Sequence, residues 1–86
     1  MVYLALTPIG ARDVVALAAS GKIAVWLNAG ALDATEVRRL RESGLNISTF
    51  SRPINLSDAE AIAHAVATIC THHPGQTVWV EHSAAA

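Results

Sequence analysis

Chemistry in this chain has to come from a short list of side chains: four histidines, one cysteine, seven carboxylates and six lysines or arginines. A metal centre would need several of the ligating types within one coordination sphere. His72 and His73 stand where a helical pattern ends, and His82 follows a strand-like run. In a layered α/β domain those places lie at opposite edges of the sheet, roughly 16 Å apart for a strand of about five residues at ~3.3 Å each. His64 precedes His72 by about two helical turns, ~12 Å along an axis. Cys70 with His72, or His72 with His73, offers at most two poorly aligned ligands, since neighbouring helical side chains diverge by about 100°. No metal and no cofactor is expected. The ordinary role for His72 and His73 is a favourable place at the negative end of a helix.

Nucleophilic and nucleotide chemistry lack their apparatus as well. Cys70 falls in the repeat Ala59, Ile62, Ala63, Val66, Ile69, Cys70, which predicts a buried, inert thiol on the apolar stripe of a helix. A single cysteine also excludes an intramolecular disulfide framework. No serine sits in a G-x-S-x-G elbow. Neither G-x-G-x-x-G nor the P-loop pattern occurs, and Lys22 is at the wrong end of the first helical segment to serve a phosphate. The first three strand ends offer Thr7, Asn28 and Ser51, which do not make an acidic cluster for Mg²⁺. Glu81 and His82 could form an acid–base pair, but neighbours on a strand face opposite sides, so a solvated strand end is expected there. Catalysis is not the expected role.

Arg38-Arg39-x-Arg41 is the basic run of the chain. Helical spacing spreads these residues in azimuth, and Glu42 can pair with Arg38 at i+4. Together with a net charge of −1, this reads as a solvated helix face rather than an RNA contact. Nucleic acid and anionic membranes are not expected as partners.

The elements that must position these groups are legible from periodicity. Four runs rich in β-branched and aromatic residues, at Val2–Thr7, Ile23–Asn28, Ile47–Ser51 and Thr77–Glu81, read as strands. Three helical segments lie between them. The first spans about Gly10–Ser20, with Val14, Val15, Leu17 and Ala18 on a broad face and Ser20-Gly21 as its stop. The second opens at Asp33 with Glu36, buries Val37 and Leu40, and stops at Gly44. The third opens with the capping pattern Ser57-Asp58-Ala59-Glu60 and runs to about His72, before His73-Pro74-Gly75. The alternation predicts a single α/β domain over residues 1–82, with four mainly parallel strands, three helices on two faces, and a disordered tail at 83–86. Continuous apolar runs mark the first two strands as central and the other two as edges, which favours the order 3-2-1-4 over 2-1-3-4. Two helices then cover one face and one helix the other.

Two functional expectations follow. A single helix leaves part of a sheet face open, so Tyr3, Trp26 and Trp79 are candidates for an apolar patch that closes against a second copy or another protein. This non-catalytic, protein-binding or self-associating module, with a homodimer as one form of it, is the leading reading. The alternative is a small-anion or phosphorylated-ligand site, with or without weak catalysis, at the carboxyl ends of the strands, where all three helix N-termini point. Thr7, Gly10, Arg12, Ser51 and Arg52 are its candidate residues. Met1–Gly10 lacks a basic leader region and is broken by Pro8, and no run of about 18 apolar residues occurs, so a cytoplasmic protein is expected.

Overall fold

The computed structural model describes residues 1–19 and 22–82. The expected helix stop at Ser20-Gly21 and the expected tail at 83–86 lie outside the described residues. The element order is β1 (Val2–Ala5), α1 (Pro8–Ala18), β2 (Ala24–Leu27), α2 (Ala34–Glu42), β3 (Asn46–Thr49), α3 (Ala59–His72) and β4 (Val78–Val80). All pairings are parallel and the sheet runs β3-β2-β1-β4, the order that the composition of the strands favours. In register, Val2 sits beside both Ala24 and Val78, and Leu4 beside both Trp26 and Val80.

Right-handed crossovers place α1 and α2 on one face and α3 on the other. The first face buries Ala5, Val25, Leu27 and Ile47 against Ala11 and Ala18 of α1 and Val37 of α2. The second buries Val2, Leu4, Leu6, Ala24 and Trp26 against Ala65 and Ile69 of α3. The small residues Gly10, Ala11 and Ala18 are the buried positions of α1 and bring its backbone close to the sheet. Large side chains such as Leu4, Leu27 and Ile69 are fully buried, each stabilising the fold by about 1.5–3 kcal/mol relative to exposure.

Helix ends follow local chemistry, and the helices depart from the sequence reading in both their starts and their packed faces. The first helix begins at Pro8 rather than Gly10, because Thr7 caps it and the fixed φ of proline suits the first helical position. The third is capped by Asp58, not Ser57; the Asp58 carboxylate accepts from the Ala61 N–H at 3.0 Å, while the Ser57 N–H turns to Asn55. The buried stripe of α3 is Ala65 and Ile69 flanked by Ile62 and Val66. Ala59, Ala63 and Cys70 are exposed. Residues 63 and 70 stand about 100° around the axis from Ile62 and Ile69, outside the contact with the sheet. The thiol is therefore on the surface. In α1, Leu17 is 51% exposed although it was expected on the packed face.

Candidate functional site

The connections change direction between β1 and β4: β1, β2 and β3 step one way across the sheet, and the crossover from β3 returns to the far side of β1. In open parallel sheets a ligand crevice forms at such a point, beyond the carboxyl ends of the strands. Here the chain itself supplies the anion. Glu81 follows β4, and its Oε1 accepts from the backbone N–H of Leu6 at 2.6 Å and of Thr7 at 2.9 Å. Its Oε2 accepts from the Thr7 hydroxyl at 2.5 Å. The Thr7 oxygen in turn accepts from the Gly10 N–H at 3.1 Å, closing the first turn of α1. Partial burial alone would raise the Glu81 carboxyl, but the hydroxyl and the two amides together outweigh it and hold the group below its ordinary range. Glu81 is thus not the solvated strand end that sequence reasoning expected. Gly10 is part of the same arrangement, since a Cβ there would stand 2.1 Å from Oε1 of Glu81.

The other two helix N-termini also meet acidic side chains of this chain. Asp33 accepts from the Glu36 N–H at 2.8 Å and Asp58 from the Ala61 N–H. The five sequence-predicted ligand residues lie in separate surroundings. Thr7 and Gly10 engage Glu81. Arg12 reaches across to Glu36 of α2 at 3.4 Å, the ion pair formed among the described residues, while the expected Arg38–Glu42 pair is not formed there. Ser51 and Arg52 line a shallow groove with Pro53, Ile54 and His64.

Asn28, just past β2, holds that loop in place. Its Nδ2 donates to the carbonyls of Leu6 at 3.0 Å and Ile54 at 2.9 Å, and its Oδ1 accepts from the Ile54 N–H at 2.7 Å. This is the buried polar side chain of the described residues, and sequence reasoning noted it only as a strand end.

The three candidate interface aromatics divide. Trp26 is buried, 9% exposed, because the α3 face closes over it more completely than one helix alone would allow. Phe50 packs at a ring distance of 5.3 Å and His72 at 5.4 Å. The indole N–H donates to His73 Nε2 at 3.1 Å. Both histidines thus pack beside Trp26 at the C-terminal end of α3. Tyr3 and Trp79 stay together, stacked with centroids 6.4 Å apart. They lie on the face of α1 and α2, because alternation turns Val2 and Leu4 toward α3. On that face α1 lies over β1 and β2 and α2 over β3, so β4 is left open and Trp79 is 54% exposed.

Among the described residues no group of three or more His, Cys, Asp or Glu side chains could hold a metal ion, and no helix is long and apolar enough to cross a membrane. Comparison of the chain with protein-family models, curated proteins and solved structures finds no match.

Proposed function

We propose that this domain is a non-catalytic, self-associating module that pairs with a second copy through the open edge of β4. The observation that carries the reading is Trp79, half-exposed at the centre of a three-residue edge strand and stacked on Tyr3. Edge strands are templates for further pairing unless charges, prolines or a covering element blunt them. The opposite edge has such protection: β3 reads Asn46-Ile47-Ser48-Thr49, and Arg41 Nε donates to the Ile47 carbonyl at 2.9 Å. In contrast, β4 reads Val78-Trp79-Val80, with Val80 37% exposed.

The strand is also complementary to itself. The Thr77 carbonyl accepts from Val2 and the Glu81 N–H donates to Leu4, so alternation turns the N–H and C=O groups of Val78 and Val80 outward. An antiparallel pair about a two-fold axis then sets Val78 opposite Val80 of the second copy, with reciprocal hydrogen bonds. Trp79 falls opposite Trp79 at the closer, non-hydrogen-bonded position, and the aromatic row becomes Tyr3, Trp79, Trp79, Tyr3 across the axis.

Sedimentation equilibrium from 1 µM to about 1 mM tests this reading. The expected result is a concentration-dependent rise from 9.0 kDa toward twice that mass. Trp79→Lys should remain monomeric throughout with an unchanged circular dichroism spectrum. A wild-type protein that stays monomeric to 1 mM, or a Trp79→Lys variant that associates as well as wild type, refutes it.

A further inference from the structure

We propose that the cleft beyond the carboxyl ends of β2 and β3 is a binding site for a small organic anion, with Arg38 and Arg41 holding its charged end. The cleft has a volume of about 570 Å³, within the size range of small-molecule sites. One wall is a face of α2: Ala34, Val37, Arg38 and Arg41 follow the i, i+3, i+4, i+7 spacing that aligns side chains along a helix. Arg39 is not part of that lining, so the basic run splits by azimuth into two arginines toward the cleft and one away.

The polar groups in the cleft are unequally committed. Arg38 has no hydrogen bond or ion pair among the described residues, and neither does the Thr49 hydroxyl. Arg41 is steadied by its Nε bond to the Ile47 carbonyl, which leaves its terminal nitrogens available. The carboxylate in the lining, Asp33, is tied through Oδ1 to the Glu36 N–H as the cap of α2. Two guanidinium groups therefore face one engaged carboxylate in a chain whose net charge is −1. Paired guanidinium donors suit the oxygens of a phosphate or carboxylate. Leu32, Val37 and Phe50 provide the apolar wall for the body of such a molecule. Gly30, also in the lining, turns the chain with φ +80.

The test is an amide-resolved NMR titration of the full chain with phenyl phosphate, with inorganic phosphate and phenol as separate arms. The expected result is saturable perturbation of the amides of residues 29–34, 37–41 and 49–50 by phenyl phosphate, with no saturation by phenol. Arg38→Gln, an exposed substitution, should weaken that binding roughly tenfold, as expected for loss of one charge-assisted contact, and Thr49→Val should weaken it less. The proposal is overturned by the absence of saturable shifts, by shifts centred on residues 6–10 and 81, or by an unchanged affinity in Arg38→Gln. Inorganic phosphate binding as tightly as phenyl phosphate also overturns it, because the apolar wall would then contribute nothing.

Discussion

Replacing Gly10 by alanine should destabilise the protein for a reason unrelated to backbone conformation. The residue lies inside α1 and is not among the glycines with positive φ, so alanine ought to gain about 1 kcal/mol from helix propensity. Its Cβ, however, would lie 2.1, 2.3 and 2.6 Å from the three atoms of the Glu81 carboxyl group. The carboxylate must swing away and give up the bonds from Leu6, Thr7 and the Thr7 hydroxyl. Charge-assisted bonds contribute about 1.5–3 kcal/mol each when buried; discounted for partial exposure, about 1 kcal/mol each gives a loss near 3. The net expectation is a destabilisation of about 2 kcal/mol, or a midpoint lower by roughly 8–16 °C. The decisive comparison is a double-mutant cycle. In a Glu81→Ala background the Cβ meets no carboxylate, and Gly10→Ala should become stabilising by about 0.5–1 kcal/mol. Urea unfolding followed by far-UV circular dichroism, at one fixed low protein concentration so that association does not enter, reads both values. A stabilising Gly10→Ala in the wild-type background, or the same change in both backgrounds, would refute the steric account.

Acid should act through the same carboxylate. Because Glu81 titrates below its ordinary range when folded, its contribution is fully present above the unfolded value, about pH 4.3, and is lost as pH falls through the lower folded value. The stability gap between wild type and Glu81→Gln should therefore be constant near neutrality and close below about pH 4; a gap that persists at pH 2 contradicts the linkage. Asn28→Ala removes three hydrogen bonds that tie the loop at Ile54 to the ends of β1 and β2, which should cost about 2–3 kcal/mol. Hydrogen exchange at the Ile54 amide should accelerate in that variant, and unchanged protection would show that the loop is held by other contacts.

The strand order was legible because burial on two faces leaves a compositional mark. Val2-Tyr3-Leu4-Ala5-Leu6 and Ile23-Ala24-Val25-Trp26-Leu27 have nowhere to be but the centre, and the polar alternation in the other two strands sends them to the edges. The helical stripe of α3 was less legible, since spacings of three and four admit neighbouring stripes, and only the angle of the helix on the sheet chooses Ala65 and Ile69 over Ala63 and Cys70. Glu81 escaped for a different reason: its partners are 74 and 75 residues away, and no local pattern reports such a contact. A signal existed in combination. A glycine inside the first turn of α1, beside a fourth strand placed next to β1, marks a close approach by whatever follows that strand. The indole of Trp26 and its histidine acceptor escaped similarly, because Trp26 and His73 are 47 residues apart.

The seat for the Glu81 carboxylate is built from residues 6 to 10, so in a growing polypeptide its residues are made long before its occupant. Closing that contact fastens a loop of about 75 residues, and the entropy of that loop opposes it until other long-range packing helps to offset the cost. The amino end of α1 and the residue after β4 are thus clasped together across nearly the whole sequence. The native fold thus fills the amino end of its first helix with a carboxylate from just after its own last strand.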